Sequence, residues 1–120
     1  MPFSAALKQI VDGVEGGLGA AIMGYDGIHI DEYLREDPPM DLHLLAVEYA
    51  TVLKEVKRTV DVLGTGDMEE VSVATERSRV IVRVINDDAF LVLTLERDGN
   101  YGKGRYLLRL AAPKLRELLS

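Results

Sequence analysis

The stretch from Asp41 to Leu63, DLHLLAVEYATVLKEVKRTVDVL, constrains the fold more than any other part of the chain. Leu42, Leu45, Tyr49, Val52, Leu53, Val56, Val60 and Leu63 recur at three- and four-residue steps. That spacing aligns them along one side of an α-helix long enough to cross a small domain. The stripe predicts a core-facing helix. Leu44, Val47 and Thr51 fall on the opposite side at about 100° per residue. A helix in a monomer needs one apolar face, so this second spot marks a partner surface, where each covered aliphatic side chain would contribute roughly 1.5–3 kcal/mol. Beyond Leu53 the non-stripe positions are Lys54, Glu55, Lys57, Arg58 and Asp61, which suit water.

The elements around this helix follow from local signals. Leu7, Ile10, Val11 and Val14 share one helical face, with Ser4 placed to cap the start and Gly16-Gly17 to stop it. Two apolar runs, LGAAIMGY and IHIDEYL, flank Asp26-Gly27, a pair suited to the tight mirror-image turn of a hairpin. The first run is apolar on both faces and reads as an internal strand. His29, Asp31 and Glu32 make the second an edge. Prolines in Arg35 to Met40 enforce a loop, Asp41 is a natural N-cap, and Gly64 and Gly66 end the long helix. Three further strands are expected at Val71 to Thr75, Arg79 to Ile85 and Phe90 to Glu96, the last two covered by helices on both faces. Arg83 shares a face with Ile81 and Ile85 and must reach past them to a carboxylate or the rim. A final helix is expected from about Lys103 to Leu119, with Pro113 predicting a kink near Ala112 or two short helices in succession.

With 120 residues, nearly half of them apolar, the chain supports one core and is read as a single domain, 1–120. A formal charge of −6 argues against a nucleic-acid or anionic-membrane surface. The absence of cysteine removes disulfides, thiol nucleophiles and thiolate metal sites, and makes the cytoplasm the expected location. No signal pattern opens the sequence, and no apolar run approaches the roughly 20 residues of a membrane span. His29 and His43 stand apart without ligand spacing, so no metal site is expected. Gly16-Gly17-Leu18-Gly19 precedes a strand where a phosphate cradle would follow one, and Gly102-Lys103-Gly104 lacks the spacing of a P-loop. Glu32, Glu36, Asp37 and Asp41 read as a solvated acidic loop, the serines sit in no nucleophile elbow, and the tyrosines read as packing or rim groups. No cofactor is implied, and the chain is read as a non-enzyme.

Two stretches, LGAAIMGYDGIHIDEY and NYGKGRYLLRLAAPKL, together with the element order, resemble the Roadblock/light-chain-seven (Roadblock/LAMTOR, MglB-like) family over essentially the whole chain. The resemblance implies an α+β fold related to profilin and longin domains, α-β-β-α-β-β-β-α. Its five-stranded antiparallel sheet would run in the order 2-1-5-4-3, with the long second helix on one face and the two terminal helices on the other. It further implies a homodimer in which the long helices pack together and the third strands pair edge to edge. The expected interface is Leu44, Val47 and Thr51 with Val71, Val73 and Thr75. VSVAT carries no Lys or Pro to protect an open edge. Family members are adaptors and regulators of Ras-like small GTPases or of signalling and polarity complexes, and bacterial MglB dimers accelerate GTP hydrolysis on their cognate GTPase. Two departures stand out. MglB-like proteins have Gly and Ala where this long helix has Glu48, Tyr49, Lys54, Glu55 and Lys57, and they continue beyond the position of Ser120. A small-molecule sensor on a similar helix-covered sheet is the alternative, and it requires a cavity beneath the long helix.

Overall fold

Residues 3–120, which the computed structural model describes, form eight elements: α1 (Ser4–Asp12), β1 (Gly17–Gly24), β2 (His29–Leu34), α2 (Leu42–Leu63), β3 (Glu70–Ala74), β4 (Ser78–Val84), β5 (Ala89–Glu96) and α3 (Tyr101–Leu119). The strands make one antiparallel sheet in the order β2-β1-β5-β4-β3, as the family resemblance implies. Strand alternation sends Leu91, Leu93 and Leu95 of β5 to one face, with Ile22 and Ile81 beside them. Phe90 and Val92 go to the other, with Met23, Val80 and Val82. Leu7, Ile10 and Val11 of α1 and Leu108 and Leu115 of α3 cover the first face. α2 covers the second through Ala46, Ala50 and Leu53. The result is three layers, with the sheet in the middle. Gly104 lets α3 lie close on the sheet, since a Cβ there would meet Leu93 at 3.1 Å and Ile81 at 3.2 Å.

The long helix begins and ends where its capping residues dictate. The Asp41 carboxylate accepts the Leu44 N–H at 3.0 Å, and Gly64 adopts φ 67° to close the last turn. Elsewhere local signals and structure part company. α1 starts after Phe3 without a side-chain cap, because the Ser4 hydroxyl donates to Asp31 Oδ2 at 3.0 Å and ties α1 to β2. The helix also ends at Asp12, ahead of Gly16-Gly17. Between β1 and β2 only Gly27 has positive φ, 86°, so the turn is a four-residue loop and not the expected mirror-image pair. It is closed by the Gly24 N–H to Ile28 O, and the Asp26 carboxylate accepts the Ile28 N–H, both at 3.0 Å. β3 spans Glu70–Ala74, which leaves Thr75 in the turn, where its N–H donates to Ser78 O at 2.9 Å. α3 runs as one helix through Pro113 and is not split in two. Pro113 and Arg109 are both exposed, so the carbonyl that the proline leaves unpaired faces water.

Candidate functional site: the outer face of the long helix and the β3 edge

The side of α2 that meets the sheet coincides only in part with the stripe its large residues suggest: Leu42 and Leu53 are buried, and Leu45 and Tyr49 pack at the margin of the core. The buried positions are Leu42, Ala46, Ala50 and Leu53. Of the expected core stripe, Leu45, Tyr49, Val56 and Val60 are only half-buried, and Val52 and Leu63 are 54% and 67% exposed. Two alanines decide the outcome, because their small side chains let the helix settle on Met23, Phe90 and Val92. The bulkier stripe is thereby rotated to the flank. Leu45, Tyr49, Val52, Val56 and Leu63 follow one another at steps of four, three, four and seven, the seam spacing by which two helices pack. Leu44, at 53% exposure, and Val62, at 72%, stand beside it at opposite ends of the helix. Of the residues expected to meet a partner, Leu44 and Thr51 are exposed, whereas Val47 is half-buried and packs against the core beneath α2.

Among the described residues β3 pairs with β4 alone and so presents one open edge. Val71 packs toward the α2 side, and Val73 is half-buried. Glu70 is held at the sheet end by Arg105 at 2.8 Å and by Arg83 at 3.9 Å, and Arg83 also approaches Glu69 at 3.7 Å. The Tyr101 hydroxyl donates to Ser72 at 3.0 Å. The strand is therefore fixed in place while its outer N–H and C=O groups remain free to template another strand. The opposite edge, β2, carries His29, Asp31 and Glu32.

The two histidines, separate in sequence, come together in space. Their rings stack at 3.8 Å with planes 7° apart. The Glu32 side chain reaches from β2 toward α2, with Oε2 at 3.5 Å from His29 Nε2 and Oε1 at 3.6 Å from His43 Nδ1. The cause is a register shift: Met23 pairs with His29 and Ile22 with Asp31, so Ile30 is an extra residue in β2. Such a bulge slips the alternation by one and brings His29 and Glu32, three residues apart, to the same face. Burial holds His29 below the ordinary histidine range, His43 adds to the effect and Glu32 opposes it. No local motif announces this trio, since its members meet only through a bulge and a helix start.

Beneath α2, between Ala21, Ala46 and Val92, the free space is about 10 Å³, room for at most one water. A sensor of small molecules has no chamber there. A larger depression of about 490 Å³ lies at the far end of α2, lined by Tyr25, Lys57, Asp61, Arg83, Asp87 and Arg116. Its charged rim differs from the mostly apolar lining of small-molecule sites. The Tyr25 hydroxyl there is buried without a hydrogen-bond partner, and its pKa is pushed up to about 12 by burial, with Asp87 and Asp61 adding to the rise. No helix among the described residues is long and apolar enough to cross a membrane.

A three-layer sandwich with this strand order and an open third strand defines the Roadblock architecture, and the chain belongs to the Roadblock/MglB-like family. It is similar to MglC from Myxococcus xanthus at 42% identity, covering 98% of this chain and 99% of that one with a TM-score of 0.73. A Roadblock/LC7 domain from Streptomyces avermitilis matches at 14% identity, over 97% and 96% of the two chains, with a TM-score of 0.83. MglB from Myxococcus xanthus matches at 12% identity, over 99% and 95%, with a TM-score of 0.84. The last two identities speak for the fold alone. No protein-family model and no curated protein matches the chain.

Proposed function

We propose that the chain is a non-catalytic, self-associating Roadblock module of the cytoplasm that regulates a Ras-like small GTPase or a polarity complex. The observation that carries this reading is the unfinished side of α2. An apolar seam with helix-pairing spacing stands half-exposed or exposed while the core beneath it is already filled by Leu42, Ala46, Ala50 and Leu53. Large contiguous apolar surface on a small acidic domain marks a contact site. Leu44, Leu45, Tyr49, Val52, Val56 and Thr51 would face a second α2, and Val71 and Val73 would lie along a continuous sheet joined at β3, with Thr75 at its margin and Val47 as support from below. Kinship with MglC and MglB supports a regulatory role toward a small GTPase, and the lack of a chamber under α2 favours a protein partner over a small ligand.

Sedimentation of the wild type at micromolar concentration should show a dimer that Leu44→Glu or Val73→Lys shifts toward monomer. A monomeric wild type would remove self-association from the reading. GTP hydrolysis by a small GTPase encoded beside this chain should be accelerated, or the GTPase retained in a stable complex. Absence of both outcomes would leave a module with some other class of partner.

A further inference from the structure

We propose that His29, Glu32 and His43 form a binding site for a divalent transition-metal ion of the zinc type. Their ligating atoms, two imidazole nitrogens and a carboxylate oxygen, lie within 4.8 Å of one another. His29 Nε2 and Glu32 Oε2 are both buried and have no hydrogen-bond partner, although they face each other at 3.5 Å. Buried polar atoms are almost always paired, so an unpartnered nitrogen opposite an unpartnered carboxylate oxygen needs an explanation. A cation between them supplies one.

The donor set selects the kind of ion. Calcium and magnesium prefer shells made of oxygen. Two imidazoles with one carboxylate, and no thiolate, suit zinc in a site that keeps a position open, and the same donors also take cobalt, nickel and copper. Metal–ligand bonds of about 2.0–2.2 Å in a tetrahedral shell place the donors roughly 3.3–3.6 Å apart. His29 Nε2 and Glu32 Oε2, 3.5 Å apart, already have that spacing, so closing the trio on an ion needs the His43 nitrogen to draw in by up to roughly 1.5 Å. It also needs one ring to turn, because lone pairs in nearly parallel planes do not converge. His43 is the ring able to move, with its side chain 57% exposed against 14% for His29. The remaining coordination positions would open toward solvent on the His43 side. Bound there, the ion would join the first turn of α2 to the β2 edge, at the opposite border of the sheet from β3. The proposal does not depend on the self-association reading.

The test uses the full chain without an affinity tag, stripped with a chelator and titrated with zinc by calorimetry and with cobalt by visible absorption. One ion per chain should bind, with the ligand-field bands of a low-symmetry nitrogen and oxygen site, and zinc should raise the thermal midpoint. His43→Ala and, separately, Glu32→Gln should each weaken zinc binding by more than the roughly 10–100-fold that loss of an outer-shell partner costs. The midpoint shift should vanish with them, while circular dichroism shows the fold intact. His43 is exposed, so its removal leaves no cavity. Failure of the wild type to bind zinc saturably would overturn the proposal, as would zinc binding equally tight in both variants.

Discussion

The two sides of the sheet are finished differently. On the α1/α3 side, Leu91, Leu93 and Leu95 meet Leu7, Ile10, Leu108 and Leu115, all at most 4% exposed, so large residues fill the space next to the sheet, while α3 holds Tyr106, Leu110 and Leu118 on its outer surface. On the α2 side the helix contributes Ala46 and Ala50 inward and holds Leu44, Val52 and Leu63 outward. Apolar content is therefore a poor guide to which face of an element is internal. What matters is the size of the residues that fit the space, and the small ones won on α2.

The contrast can be broken most sharply in the interior between the sheet and α1/α3. Leu93→Ala empties a fully buried position and should cost about 2–5 kcal/mol in denaturant unfolding, by the same amount at every protein concentration. In the open half, Val52→Glu should leave the monomer's stability within about 0.5 kcal/mol. It should nevertheless weaken self-association at least about tenfold, or roughly 1.4 kcal/mol, in sedimentation equilibrium. If Val52→Glu unfolded the monomer instead, α2 would belong to the core as fully as α3 does. Asp41→Ala removes the carboxylate that accepts the Leu44 N–H and should cost about 1 kcal/mol. Hydrogen exchange should report that loss first in the opening turn of α2.

The smallest effect at neutral pH belongs to Tyr25, which packs on Phe90 with ring centroids 5.2 Å apart. Its folded pKa of about 12 stands above the ordinary value of 10.0. The neutral hydroxyl is thus favoured by folding, and the resulting stability is fully present below pH 10 and is lost as pH rises through about 12. Tyr25→Phe should be near neutral at pH 7, because it deletes an unpartnered buried hydroxyl, and should flatten the alkaline loss of stability. An unchanged alkaline profile would assign the loss to other groups.

Much of the architecture was legible because its signals are local. Asp41 and Gly64 bracket α2 by chemistry that involves only neighbouring residues, and the runs that form β1, β4 and β5 are short, rich in aliphatic residues on both faces and bounded by turn residues, as interior strands are. The order of the strands came from resemblance, since nothing in the spacing of hydrophobic residues says which strand lies beside which. The side of α2 that meets the sheet was only partly legible, for a physical reason: periodicity weights large side chains, and two adjacent apolar lines on one helix are separated only by the shape of what they pack on. Ser4 has the residue type and place of a cap, and its actual partner, Asp31, lies 27 residues away, beyond the reach of local pattern. The His29, Glu32 and His43 cluster was invisible because a one-residue bulge at Ile30 reverses the phase on which strand reasoning depends.

The alanine seat of α2 has a mechanical corollary. Where Ala46 and Ala50 meet the sheet, between the buried Leu42 and Leu53, the helix contributes only methyl groups, so the spacing there can change in one direction alone. An extra carbon at position 46 or 50 would have nowhere to go but upward, lifting the helix and displacing the surface that a neighbour reads. Interior volume here acts as a gauge on the exterior, and variation at these two alanines would alter the fit of a bound molecule that never touches them.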